Sequence, residues 1–118
     1  MREIFVSGVD ADLTTDVVVI LCTAPPDVAA DMAEQMVQSR MVACVNIVPI
    51  QSTYRWKEKV CNDAEFLMIA KTTKNLAEAA VEYLRSLHPY DVPEILILPV
   101  NTGYAPYLDW VRKETGGS

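Results

Sequence analysis

The sequence predicts an α+β domain, and three observations carry that prediction. Short β-branched and aliphatic runs recur at VVVILC (Val17 to Cys22), MVACVNIVPIQ (Met41 to Gln51), AEFLMIAKT (Ala64 to Thr72) and EILILPV (Glu94 to Val100). Apolar residues fall at helical spacing between the first and second runs and between the third and fourth. The whole chain, 118 residues without repeats or low-complexity segments, has the length of one domain.

Each element has a local reason. Val17 to Cys22 is continuously apolar, as a strand buried on both faces must be. Thr23-Ala24-Pro25-Pro26-Asp27 ends it and starts a helix, because proline and aspartate are both favoured in a first helical turn. Val28, Ala29, Met32, Met36 and Val37 give that helix one apolar face, with both methionines read as core filler. The second strand, Met41 to Gln51, contains Pro49, which cannot donate to a ladder; a bulge or an edge position is predicted there. Beyond it, Ser52, Tyr54 and Trp56 share one face, Thr53 and Arg55 the other, and Lys57-Glu58-Lys59 is polar enough to be a hairpin tip. Ala64 to Thr72 returns as the third strand.

A second helix runs from Lys74 to Leu87, with Leu76, Ala77, Ala80, Leu84 and Leu87 as its stripe and Thr73 as its N-cap. His88-Pro89 ends it, since a residue before proline avoids helical geometry. Glu94 to Val100 is the fourth strand and Pro106 to Lys113 a short closing helix. Two right-handed β-α-β crossovers sharing one antiparallel sheet make a ferredoxin-like β-α-β-β-α-β sandwich with an extra C-terminal helix. Helices cover one face of such a sheet. The other keeps its apolar side chains, which points to an oligomer.

Composition narrows the function. Hydrophobic residues make up 51% and charged residues 22%, the balance of a folded globular chain. A net charge of −6 disfavours nucleic acid and anionic membrane as partners. Cys22, Cys44 and Cys61 form no CxxC pair, so neither a disulfide framework nor a zinc knuckle is expected. No stretch has the length of a secretory signal or a membrane span, which makes the cytoplasm the expected location. Residues 1–15 read as a loosely ordered extension, 16–115 as the single domain, and Gly116-Gly117-Ser118 as a frayed end.

In order along the chain, VVVILCTAP, MVACVNIVP, STYRW, Lys71-Thr72, HPYDVPEILILPV and YLDW resemble the CutA family of divalent-cation tolerance proteins. The resemblance spans Val17 to Trp110, and HPYxxPE is its most specific signature. It implies a ferredoxin-like protomer in a tight homotrimer, with hairpin arms reaching onto adjacent subunits. It also implies tolerance of copper and other divalent cations, and an architecture similar to the trimeric PII signalling proteins, which bind small anionic effectors between subunits. One departure stands out: where the family usually has Trp-Glu-Gly-Lys, this chain has Trp56-Lys57-Glu58-Lys59. The glycine that eases positive φ is lost, and the acidic residue moves to the other face of the strand.

Two binding sites are expected. For a divalent metal ion, copper first, the resemblance implies Cys22, His88 and Glu65 as ligands; thiolate and imidazole suit copper. The bland reading makes Cys22 a small buried hydrophobe and lets His88, the single histidine, donate to a carbonyl at the helix end. For a small molecule, Tyr90, Asp91 and Glu94 crowd a turn stiffened by Pro89 and Pro93. An intersubunit cleft lined by His88, Tyr90 and Glu94 of one chain, and completed by Tyr54, Trp56 and Lys71 of the same or the next chain, would serve an anionic ligand received by Lys71. The bland alternative for Lys71 is solvent or an ion pair with Glu94. The chain lacks a glycine-rich phosphate loop, a Ser-His-Asp pattern and a cofactor motif. It is therefore expected not to be an enzyme and to need no cofactor for folding.

Overall fold

The computed structural model describes residues 15–116. Strands β1 (Val17–Ala24), β2 (Cys44–Trp56), β3 (Lys59–Thr73) and β4 (Ile95–Pro99) form one antiparallel sheet in the order β2-β3-β1-β4. Helices α1 (Pro26–Gln38) and α2 (Lys74–Leu87) are the two crossovers, and α3 (Ala105–Glu114) closes the chain. This is the ferredoxin-like arrangement with the additional C-terminal helix.

Register decides which side chains meet. Ile20, Cys22 and Ala24 lie opposite Ala70, Met68 and Phe66, and this face of the sheet packs on α1 and α2. Ile20, Met32, Met36, Met68 and Leu84 fill the layer between and are fully buried. Each such side chain contributes about 2 kcal/mol through removal of apolar surface from water. A second cluster, Val17, Ala43, Leu108 and Val111, fastens α3 to the far end of the sheet.

Several boundaries differ from the sequence reading. β1 does not stop at Cys22, because Thr23 and Ala24 still pair with Leu67 and Phe66; Pro25-Pro26 then ends it. β2 starts at Cys44, since Met41 to Ala43 is taken up in closing α1 onto the sheet: Val42 N–H donates to Met36 O at 3.3 Å and Ala43 N–H to Lys71 O at 2.8 Å. Pro49 sits in an unbroken register opposite Phe66, so of the two expected solutions the edge is used and not the bulge. Thr73 occupies the N-cap position of α2, but its hydroxyl makes no capping bond.

The expected N-terminal extension lies outside the described residues except for Thr15, whose N–H donates to Val100 O at 3.0 Å. Of the expected frayed end only Gly116 is described, and it is held: its N–H donates to Arg40 O at 2.9 Å, and Arg40 Nε donates to Gly116 O at 2.8 Å.

Two features leave apolar surface in water. The sheet face away from the helices carries Val19, Leu21, Leu67 and Ile69, with Val48 (41% exposed), Leu96 (52%) and Leu98 (39%) beside them. Of the described helices only α3 reaches this face, at its Val17 end, where Leu108 and Val111 pack; none packs on Leu21, Leu67 or Ile69. Beyond the Ala24–Phe66 pair, moreover, β3 has only β2 for a neighbour, so residues 50–65 project as a two-stranded arm. The radius of gyration, 16.2 Å, exceeds the ~13 Å of a compact chain of about 100 residues, as a projecting arm requires.

The arm turns at Lys57 (φ 51°) and Glu58 (φ 66°), a two-residue loop with both residues left-handed. This is the hairpin class that prefers Asn-Gly, because side chains with a Cβ are strained there by about 1 kcal/mol or more each. The double substitution Lys57→Asn with Glu58→Gly is expected to stabilise the protein by roughly 1 kcal/mol, read as a higher midpoint of thermal unfolding. An unchanged or lower midpoint would show that the arm tip does not limit stability.

Candidate functional site

Three elements converge where the arm leaves the sheet. The alternation of β2 places Ser52, Tyr54 and Trp56 on one face, and register brings Ile50 opposite Glu65 on that same face. The turn after α2 approaches from the sheet end with Tyr90, Asp91, Val92 and Glu94. Together with Thr23 and Thr53 they enclose a pocket of about 470 Å³. Its walls are aromatic at Tyr54, Trp56 and Tyr90 and acidic at Glu65, Asp91 and Glu94, and no lysine or arginine is among the lining residues.

Glu65 is the buried member, 6% exposed. Its Oε2 accepts a hydrogen bond from Tyr90 Oη at 2.8 Å, and its Oε1 has no donor among the described residues. Burial, and then this bond to the carboxylate, push the Tyr90 phenol well above its ordinary range. Tyr54 Oη donates in the same manner to Asp63 on the neighbouring strand. That bond, more than burial, pushes Tyr54 up to about 12. Both tyrosines thus stay protonated and donate to carboxylates, leaving the carboxylates as the charge of the site.

His88 lies behind the pocket wall instead of lining it. Pro89 forces its backbone out of the helix (φ −82°, ψ 137°), which swings the ring under the end of β1. Nε2 donates to Thr23 O at 2.7 Å, and Nδ1 accepts from Tyr90 N–H at 3.2 Å. Both ring nitrogens are committed, in the Nε2–H tautomer, and the ring packs on Tyr90 with centroids 4.8 Å apart.

The expected metal set is not assembled. Cys22 shares the helix-facing side with Met68, whereas Glu65, three residues before Met68 along β3, leaves the sheet on the opposite face. The Cys22 thiol is fully buried and donates weakly to Thr23 O at 3.7 Å. Desolvation, followed by the charges of Glu94 and Glu65, pushes it up to about 12. Among the described residues no group of three or more His, Cys, Asp or Glu side chains is placed to hold a metal ion.

Lys71 is also absent from the pocket lining. It stands six residues from Glu65 along β3, about 20 Å at the rise of a strand. It does not pair with Glu94: half-buried, it donates through Nζ to Asn46 Oδ1 in an exposed bond and lies 3.8 Å from Cys44 Sγ, both on β2. Of the expected cleft residues, Tyr54, Trp56, Tyr90 and Glu94 come together and Lys71 and His88 do not. Glu65, expected as a metal ligand, joins them. Ser52 and Asp91 follow from strand alternation and the crowded turn. Thr23 was missed, because a threonine beside a proline pair carries no sign that its strand extends through it.

Comparison with known proteins places this geometry. The family model for CutA1 divalent ion tolerance protein matches residues 17–114. The divalent-cation tolerance protein CutA of Thermus thermophilus is 46% identical over 100 residues, covering 83% of this chain and 97% of that protein. Human protein CutA is 47% identical over 89 residues, covering 75% of this chain and 50% of that one, so the chain spans about half the length of this relative. A solved structure described as PII-like protein CutA from Nostoc sp., in apo form, superposes with a TM-score of 0.81 at 34% identity. That match covers 84% of this chain and 97% of the other.

The raised Cys22 thiol has a pH signature. Its ordinary value is near 9.0 and its folded value about 12, so the stability it contributes is complete below pH 9 and is lost as pH rises towards 12. Chemical denaturation across that window should show a steeper alkaline decline for the wild type than for Cys22→Ala. Equal slopes would mean that Cys22 ionises in the folded protein as freely as in the unfolded chain.

Proposed function

The chain belongs to the CutA1 divalent ion tolerance family, and from that premise we propose a non-enzymatic, homotrimeric cation-binding protein whose site is the acidic pocket at the base of the arm. The observation that carries this reading is the lining: three carboxylates, one of them buried, and no cationic side chain. Such a site attracts positive charge and repels anions. Its donors are oxygens from carboxylates and hydroxyls, which suit hard divalent cations, and copper follows from its high general affinity more than from thiolate or imidazole. Since no three carboxylates converge among the described residues, a metal ion there keeps part of its water or takes a ligand from a neighbouring copy.

The alternative, a PII-like sensor of an anionic ligand, draws support from the likeness to the Nostoc structure; Lys71 stands about 20 Å along the strand in the same chain, so its anchor would have to come from the next one. The trimer is supported by the two apolar features of the fold. An uncovered sheet face and an isolated two-stranded arm are each marginal in water and each satisfied by a second copy. Three free cysteines suit a reducing compartment, for which we propose the cytoplasm; no helix of the described residues is long and apolar enough to cross a membrane.

Calorimetric titration with copper, zinc and manganese tests the site. Glu65→Gln should weaken metal binding at least tenfold, by analogy with removing one carboxylate from any oxygen site, while Cys22→Ala changes it less than threefold. A copper site lost in Cys22→Ala and kept in Glu65→Gln would overturn the pocket reading. The assembly is tested by solution mass: wild type at about three times the 13.1 kDa chain, and Leu96→Glu with Leu98→Glu shifted towards the monomer. An unchanged mass in that variant would remove the open sheet face from the interface.

A further inference from the structure

The pocket is built for more than a bare ion, and this inference rests on the reading of the pocket as a cation site. A metal ion needs three or more ligands converging within about 2–2.6 Å of one point. The described residues offer no such convergence, yet they enclose about 470 Å³, the size of a site for a small organic molecule. Tyr54, Trp56 and Tyr90 bring aromatic rings to the lining, and the negative face of such a ring attracts cations. Glu65, buried and with no donor to Oε1 among the described residues, supplies one deep negative acceptor. Asp91 and Glu94, both exposed, supply a second negative region at the mouth.

We propose that the pocket binds an organic ammonium ion, specifically a linear aliphatic di- or polyammonium. One ammonium group donates to Glu65 Oε1, an acceptor that no donor among the described residues fills. The methylene chain lies against Trp56 and Tyr54, and the second ammonium meets Asp91 and Glu94 at the rim. Two separated negative regions joined by an aromatic wall match this class better than a quaternary monocation, which has no N–H to donate to Glu65 Oε1. They match it better than a metal ion, which would use no aromatic ring.

The test uses the full chain in its native oligomeric state, with 1,4-diaminobutane and spermidine as probes. The chain has two tryptophans, so Trp110→Phe leaves Trp56 as the sole indole and its fluorescence reports on the pocket directly. Saturable binding is expected. Asp91→Asn, on an exposed turn, should weaken it at least fivefold, and Glu65→Gln at least tenfold. Trp56→Leu, followed by calorimetry, should weaken it at least threefold. Glu34→Gln, exposed on α1 away from the pocket, should leave it unchanged, and the neutral isostere 1,4-butanediol should not bind.

Absence of saturation, equal loss in Glu34→Gln, or equal binding of butanediol overturns the proposal. Should Glu65→Gln fail to fold, the Asp91→Asn and Trp56→Leu arms decide alone. Zinc and manganese titrations on the same samples separate this inference from the reading beneath it. Metal bound in a Glu65-dependent way without diamine overturns the ammonium site and leaves the cation site standing. Neither bound overturns both, and mutual competition supports both.

Discussion

The arrangement depends on one buried clamp, the hydrogen bond from His88 Nε2 to the carbonyl of Thr23. It joins the end of α2 to the end of β1, where the sheet narrows to the arm. Pro89 makes it possible by turning the backbone out of the helix, and the Tyr90 N–H completes it by bonding Nδ1. Tyr90 is thereby aimed at Glu65, so the clamp fixes the position of the buried carboxylate from one side while β2 fixes it from the other. Loss of such a buried partner leaves the carbonyl unsatisfied, at about 1–3 kcal/mol. The single histidine of the chain is thus a positioning residue. It shapes the site without touching what the site holds.

The clamp also explains why an acidic pocket survives next to a hydrophobic core. Glu65 leaves β3 on the face opposite Met68 and Cys22, so its charge is kept out of the layer between sheet and helices. Within that layer the Cys22 thiol is held protonated first by burial and then by the charges of Glu94 and Glu65. Apolar packing on one face and charge on the other are separated by a single β-sheet, whose alternation does the sorting. The same alternation sets Val19, Leu21, Leu67 and Ile69 on the uncovered face, which gives the chain its reason to associate.

Most of the fold was legible in the sequence. Apolar runs located all four strands and helical spacing located the helices, because each element buries one face against a single core. Boundaries were missed where pairing outlasted the apolar pattern: Thr23 and Ala24 extend β1, and Lys59 to Asp63 extend β3, through register alone. The site was legible in part. Alternation along QSTYRW put Tyr54 and Trp56 on one face, and the proline-braced turn marked Tyr90 and Glu94. What neither the residues nor the resemblance carried was direction within the chain. Cys22 and Glu65 have the chemistry of metal ligands but point to opposite faces of the sheet, and Lys71 is drawn to Asn46 on the adjacent strand. Such facts follow from register, which composition and motif do not encode.

The central claim is that cations enter the acidic pocket and bypass the cysteine and histidine behind it. Anomalous diffraction at the copper edge, from crystals of the reduced protein soaked with copper, tests that claim most directly. The account predicts a peak inside the pocket, next to the carboxylates of Glu65 and Glu94, with the His88 ring still bonded to Thr23. A peak between Cys22 Sγ and the His88 ring, with the pocket empty, would contradict it.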